Sequence, residues 1–266
     1  MEKILRQLLI FVGSFFLLWF ALSRINYTGA EKLQEISENR ENLLGELFIE
    51  QLTIANQEIE HGSIPKNTNY IFNHICESNN VDTSSIKLLV IHNEDINAYA
   101  FPGRHIVIHS GLIKYCKTPE ELASVMAHEL AHIEKDHVMK KLTKEIGITL
   151  ISAIISGNGN REMIGEMIHM ISSNHYSRDL ESEADAVAVE YLANANINPE
   201  NLANFLFRFS NDYADVPKQL EWVSTHPIAK ERAAEILNLC NEIDIEEKPV
   251  IDANRWEHLK TEMEQY

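Results

Sequence analysis

The sequence has 266 residues, 45% of them hydrophobic, which allows one large folded domain or two small ones. Its formal net charge of −17 argues against nucleic acid as a partner, because phosphate backbones are bound by basic surfaces. The cysteines Cys76, Cys116 and Cys240 include no CxxC pair, so they fit neither a disulfide framework nor a thiolate zinc cluster, and we expect buried thiols with at most one disulfide.

The N-terminal region contains an uncharged, largely apolar run over residues 7–23, close to the minimum of about 17 residues for a membrane-spanning helix. Lys3 and Arg6 precede this run, so the positive-inside rule places the N-terminus in the cytoplasm. We therefore expect residues 1–30 to be a membrane anchor that leaves the remainder outside the cytoplasm, on the periplasmic side in a Gram-negative cell. A signal peptide cleaved near Ala21-Leu22-Ser23 is the alternative, and it would give a soluble exported protein.

The next part of the chain changes from helical to β-type patterning. Apolar residues at helical spacing predict an amphipathic helix over 31–60, and a second, short helix is expected over 66–77. The run 86–91 reads as a strand, and Pro102-Gly103 is a turn signal within 96–109, which reads as a hairpin. We expect a small antiparallel sheet.

From Thr118 onward the sequence predicts helices. Thr118 as N-cap, Pro119 at the first helical position and Glu121 in a capping box mark the start of a helix that should run to about residue 141. Further helices are expected over the apolar segment 146–155, taken as buried, and over 161–173, 179–194, 199–213 and 227–243. The tail 244–266 is acidic, but Trp256 and Leu259 indicate that part of it packs. The predicted fold class is α+β, mainly helical.

The predicted helix from Thr118 carries the motif HELAH at 128–132. His128 and His132 lie about 40° apart around a helix, so both imidazoles can bind one metal ion. Glu129 lies beside them, where it can take a proton from an attacking water. This arrangement predicts a catalytic zinc site with one zinc ion per chain.

A third protein ligand is required, and two regions offer one. His137 lies nine residues after His128, on the opposite face of a continuous helix, so we expect it at the surface or behind a ligand rather than on the metal. Glu181 and Asp185 are four residues apart and share a helix face, whereas Glu183 points about 200° away. One carboxylate of that pair can bind zinc while the other orients a metal-bound histidine.

Four segments in order resemble metallopeptidase family 48, which includes HtpX, BepA and the type I CAAX prenyl proteases. They are INAYAFPGRHIVIHSGLI (96–113), TPEELASVMAHELAHIEKDH (118–137), YSRDLESEAD (176–185) and STHPIAKER (224–232). The resemblance implies a zincin-like (minigluzincin) peptidase domain, here 31–243, that hydrolyses internal peptide bonds. The sequence departs from the family in two respects. It has at most one clear membrane span, whereas HtpX and the prenyl proteases have several. BepA-like proteins carry tetratricopeptide repeats after the peptidase domain, but the roughly 23 residues after 243 are too few for one repeat of about 34.

The resemblance also implies roles for individual residues. Glu181 would be the third zinc ligand and Asp185 its supporting carboxylate, with Arg232 bracing the segment around His226. His226 would either stabilise the oxyanion or act as a removable fourth ligand. Asn97, Ala98, Tyr99 and Ala100 would form an edge strand that pairs with an extended protein or peptide substrate.

The expected function is zinc-dependent proteolysis in quality control of misfolded membrane or envelope proteins. The alternative is a zinc-bound, autoinhibited or inactive chaperone or assembly factor for envelope proteins.

Overall fold

The computed structural model describes residues 28–173, 175–212, 226, 229–241 and 243–266, together with Gln7, Val12 and Phe16. The predicted membrane segment 7–23 therefore lies almost entirely outside the described residues. Within the described part, no helix is both long enough and apolar enough to cross a membrane. The chain divides into residues 1–40 and residues 41–266, and the fold below is that of the second unit, apart from the first helix, which begins in the first unit.

Two helices come first, as predicted. Helix α1 spans Thr28–Ala55, and α2 spans Ser63–Ser78, beginning directly after Gly62. Leu44, Phe48 and Leu52, spaced four residues apart on α1, are buried, so this stripe of the helix faces the core.

The sheet has three strands, β1 (Lys87–Ile91), β2 (Ala98–Phe101) and β3 (His105–His109), in the order β1-β3-β2. The predicted hairpin is confirmed, because β2 and β3 pair antiparallel across the turn at Pro102-Gly103. The expectation of a purely antiparallel sheet is wrong, since β1 and β3 pair in parallel. The strand patterns predicted the segments but not their neighbours: β3 returns from the hairpin turn into the position between β2 and β1.

Helix α3 (Ser110–Tyr115) leads to α4 (Pro119–Glu134), whose start is as predicted. The Thr118 hydroxyl accepts a hydrogen bond from the Glu121 amide at 3.2 Å, and the Glu121 carboxylate accepts one from the Lys117 amide at 2.7 Å. These bonds satisfy amides at the start of the helix that have no intrahelical partner.

The end of α4 differs from the prediction. The helix ends at Glu134, well before residue 141, and α5 (His137–Glu145) begins after a sharp turn. Asp136 sits at that turn with φ 60° in the left-handed region, which Asp tolerates better than most residues. Helical spacing of apolar residues continues across the turn, so the sequence pattern concealed the break.

The segment after α5 forms α6 (Ile148–Ala153), a π-helical turn (Ile154–Asn158) and α7 (Arg161–Ser173). The expected buried helix over 146–155 is only partly correct. Ile151 and Ile154 are buried, but Ile148 is 68% exposed and Leu150 39% exposed.

The remaining helices agree with the predicted segments. They are α8 (Arg178–Asn194), α9 (Glu200–Asp212), α10 (Ala229–Cys240) and α11 (Ala253–Met263). Residues 213, 227, 228 and 242 of the predicted helices lie outside the described residues. Trp256 and Leu259 on α11 are buried, and the ammonium of Lys260 donates to backbone carbonyls at the end of α3, so part of the acidic tail packs as expected.

The fold is mainly helical α+β, which confirms the predicted class. Helix α4 occupies its centre, packed between β2 on one side and α8 on the other, with α2 and α9 also against it. All three cysteines are free and buried, as expected for structural thiols.

Candidate metal centre

The HELAH segment lies on the buried part of α4. His128 and His132 have no exposed surface, and Glu129 is 1% exposed. They are one turn apart on the helix, and their Nε2 atoms are 3.0 Å from each other. The helix thus presents two imidazole nitrogens and one carboxylate to the same enclosed space, as the spacing predicted.

Helix α8 and His226 complete this cluster. The Glu181 carboxylate lies 3.5 Å from His132 Nε2 through one oxygen and 3.6 Å from His128 Nε2 through the other. His226 Nδ1 lies 3.3 Å from His128 Nε2 and 2.9 Å from a Glu181 oxygen. One donor atom from each of these four buried residues lies within 4.8 Å of the others.

The chemistry of these donors suits a cation. Three imidazoles turn ring nitrogens toward one another and toward a carboxylate, away from water. Imidazole nitrogens brought this close favour a bound positive ion, because their lone pairs otherwise oppose each other. The four residues could therefore hold a metal ion.

A buried arginine balances the carboxylates around the cluster. Arg232 donates to both oxygens of Asp185 at 2.6 and 2.7 Å, pairs with Glu181, and donates to the His226 backbone carbonyl at 3.3 Å. Burial would raise the pKa of Glu181, but His226 and Arg232 hold it well below its ordinary value. Burial would likewise raise the pKa of Asp185, and Arg232 lowers it.

The pKa values of His128 and His226 are shifted in opposite directions. Asp185 lies 3.1 Å from His128 Nδ1, on the side of the ring opposite to the other donors. Burial alone would lower the pKa of His128, but Asp185 and Glu181 outweigh it and raise the pKa to about 9. Burial lowers the pKa of His226 to about 4, against the opposing pull of Glu181.

Glu129 has the environment of a base. Its carboxylate makes no close hydrogen bond to the described part of the chain, although the Ala100 amide lies near enough to favour the charged form. Burial raises its pKa to about 7. One oxygen lies 3.6 Å from His226 Nε2. A carboxylate with a pKa near neutrality can both accept and return a proton at physiological pH.

His137 does not lie on the opposite face of α4, as the helical spacing predicts, because α4 ends at Glu134. His137 is fully buried, and its Nδ1 lies 3.0 Å from His132 Nδ1. As expected, His137 is not one of the four clustered metal-binding candidates. It contacts His132 at Nδ1, the ring nitrogen that faces away from the other three residues. Burial lowers the pKa of His137 below its ordinary value.

Sequence reasoning missed Tyr176. Its ring stacks on the His132 ring with centroids 4.1 Å apart and 22° between the planes. Lys141 lies 4.3 Å from the centroid of the same tyrosine ring and donates to the Ile171 carbonyl at 2.9 Å. Tyr176 is the first residue of the segment 176–185 singled out above, but no spacing in the sequence indicates its contact with His132.

The predicted substrate strand is an edge of the described sheet. Strand β2 pairs with β3 alone, but all four of its residues are buried, and α7 packs against it. Asn97, directly before β2, is also buried and donates to the Tyr99 hydroxyl at 2.7 Å. The strand runs beside α4, close to Glu129, and its pairing with a substrate stays a prediction.

Comparison with known proteins identifies the family. The family described as "Peptidase family M48" matches residues 67–239, which include all four donors and Glu129. The chain belongs to peptidase family M48. Members of this family are metal-dependent metalloendopeptidases, and the resemblance inferred from the sequence motifs is confirmed.

Relatives of the M48 chain come from bacteria and eukaryotes. It is 24% identical over 243 residues to the beta-barrel assembly-enhancing protease of Yersinia pestis, covering 86% of this chain and 49% of the relative. It is 26% identical over 149 residues to the mitochondrial metalloendopeptidase OMA1 of Arabidopsis thaliana, covering 56% of this chain and 30% of the relative. The chain thus spans about half the length, or less, of these relatives.

Proposed function

We propose that the protein is a zinc-dependent endopeptidase whose metal is held by His128, His132, Glu181 and His226. The observation that carries this proposal is the convergence of the four buried donors beside Glu129. Ligands about 2.0–2.2 Å from a tetrahedral zinc are about 3.3–3.6 Å from one another. Five separations between donor atoms, from 2.9 to 3.6 Å, lie close to that range, and one donor atom from each of the four residues lies within 4.8 Å of the others.

The surrounding residues have distinct tasks in peptide hydrolysis. When bound, zinc supplies Lewis-acid polarisation of the scissile carbonyl and of the attacking water. The Glu129 carboxylate accepts a proton from that water and then delivers it to the nitrogen of the leaving amine. Asp185 holds His128 from behind through its Nδ1, and Arg232 keeps Asp185 and Glu181 ionised.

His226 has two possible roles, oxyanion stabilisation or removable fourth ligand. Its Nδ1 lies beside His128 Nε2 and a Glu181 oxygen, which favours the second role, because a zinc ion held by four protein residues would have no position left for water. Activity would then require His226 to withdraw. Replacement of His226 by Ala should raise basal cleavage under this assignment, whereas an oxyanion-stabilising histidine would make the same variant slower.

The substrates we propose are misfolded membrane or envelope proteins, cleaved at internal bonds after pairing with β2. Support comes from the names of the relatives and from the edge position of β2 in the described sheet. We also propose that residues 1–30 anchor the chain with the peptidase domain outside the cytoplasm, on the basis of the uncharged run over 7–23.

The test measures hydrolysis of casein and of quenched peptides by the purified protein, with and without a chelator. Glu129→Gln should retain zinc and lose cleavage, while His132→Ala should lose both. Cleavage by Glu129→Gln at the wild-type rate would contradict the assigned base. A second assay measures whether each protein helps misfolded envelope proteins to fold. If wild type and Glu129→Gln both bind zinc and do so equally well without cleavage, the protein is better described as a zinc-bound chaperone.

A further inference from the structure

The outward-facing nitrogen of His132 has a specific partner. His132 Nδ1 lies 3.0 Å from His137 Nδ1, and His137 Nε2 lies 3.3 Å from an oxygen of Glu183. Both imidazoles are fully buried, while the Glu183 side chain is 46% exposed. A continuous path therefore leads from a half-exposed carboxylate through one histidine to a second histidine in the metal cluster.

The proton positions along this path follow from elementary hydrogen bonding. Two ring nitrogens at 3.0 Å share one proton, so one donates and the other accepts. A neutral His132 that binds a metal through Nε2 must carry its proton on Nδ1 and donate it to His137 Nδ1. His137 then carries its own proton on Nε2, where Glu183 accepts it. The opposite arrangement would place a proton on His132 Nε2 and prevent metal binding.

We propose that His137, supported by Glu183, is a positioning residue that fixes the tautomer and orientation of His132 for metal binding. This inference rests on the proposed zinc site. Each of the two α4 histidines then has a carboxylate behind its outer nitrogen. Asp185 faces His128 Nδ1 directly, whereas Glu183 reaches His132 Nδ1 through the His137 ring. Groups that orient a ligand in this way strengthen metal binding by about 10–100-fold.

The turn between α4 and α5 gives this contact a structural origin. In a continuous helix, residue 137 would not share a face with residue 132. The left-handed Asp136 lies between the two helices, and the His137 ring at the start of α5 lies against His132. Tyr176 stacks on the His132 ring at 4.1 Å, so the ring is held by stacking and at its outer nitrogen.

The experiment compares zinc affinity by chelator competition in the full chain and five variants. Glu183→Ala removes the carboxylate that accepts from His137 Nε2. His137→Leu removes both ring nitrogens, whereas His137→Asn keeps an acceptor near the position of Nδ1. His258→Gln alters an exposed histidine on α11, and Glu190→Gln alters an exposed carboxylate on α8, which makes them the matched controls. Thermal unfolding of the metal-free proteins, measured in parallel, separates a loss of affinity from a loss of folding.

We expect His137→Leu to weaken zinc binding by about 10–100-fold and His137→Asn to recover part of that loss, with both controls at the wild-type affinity. A purely structural role would lower the unfolding temperature of the metal-free variants and leave the affinity of the folded protein unchanged. If His137→Leu does not fold, the two single variants His137→Asn and Glu183→Ala replace it as the test. In that case, zinc affinities equal to that of wild type in both of these variants overturn the inference. Wild-type protein that binds no zinc overturns the proposed function, whereas zinc-binding wild type with unaffected His137 variants overturns this inference alone.

Discussion

Arg232→Met should destabilise the metal-free protein strongly. Arg232 is 4% exposed, donates twice to Asp185 and pairs with Glu181, so its removal takes a permanent positive charge from two buried carboxylates and leaves only titratable histidines beside them. Breaking a buried ion pair in this way costs about 3–5 kcal/mol. For a domain of this size each kcal/mol corresponds to about 2–4 °C, which predicts a fall in Tm of roughly 6–20 °C.

The pH dependence of that loss separates its cause from simple repacking. Asp185 and Glu181 have lowered pKa values in the folded protein, so the stability they contribute is present at neutral pH and is lost as pH falls below about 4. Without Arg232 the two carboxylates are protonated more readily in the folded state, so the deficit should shrink between pH 7 and about pH 4. Thermal and urea unfolding of metal-free wild type, Arg232→Met and the exposed control Arg178→Met measures it. A deficit below about 1 kcal/mol, or one that does not vary with pH, would show that Arg232 does not stabilise the protein through these two carboxylates.

Three further predictions concern the capping of α4, the thiols and the base. Thr118→Val removes the hydroxyl that caps α4 and should cost about 1 kcal/mol in urea unfolding, and an unchanged midpoint would contradict the capping role. Burial raises the pKa of Cys76 to about 12 and that of Cys240 to about 11, so neither should react with a thiol reagent at pH 8 until the protein is unfolded, and rapid labelling of the native protein would count against their burial. Glu129 must be deprotonated to act as base, its pKa is raised to about 7 by burial, and a bound cation would lower it. Cleavage should therefore increase with pH and reach half its maximum at or below pH 7, and a half-maximum above pH 8 would be inconsistent with this base.

Much of the helical framework could be predicted because its signals are local. Thr118, Pro119 and Glu121 mark the start of α4 through hydrogen bonds within four residues, and the hairpin turn lies between adjacent strands. The pairing of β1 with β3 could not be predicted, because it depends on which strand lies between the other two. Strand patterns carry no information about that order.

The candidate site illustrates the same limit. His128 and His132 share a helix face because of their spacing, and Glu181 and Asp185 share a face of α8 for the same reason. The position of His137 depended on whether the helix continued, and a single left-handed residue, Asp136, decided it. Tyr176 has no pattern of its own, since stacking on His132 is a contact between separate segments.

The most direct test of the central claim is the metal content and coordination of the purified protein, measured by elemental analysis and X-ray absorption at the zinc edge. We expect one zinc per chain with three nitrogen ligands and one or two carboxylate oxygens. His226→Ala should retain the zinc with one nitrogen ligand fewer, and His132→Ala should lose it. Wild-type protein without stoichiometric zinc, or zinc retained in full by His132→Ala, would contradict it.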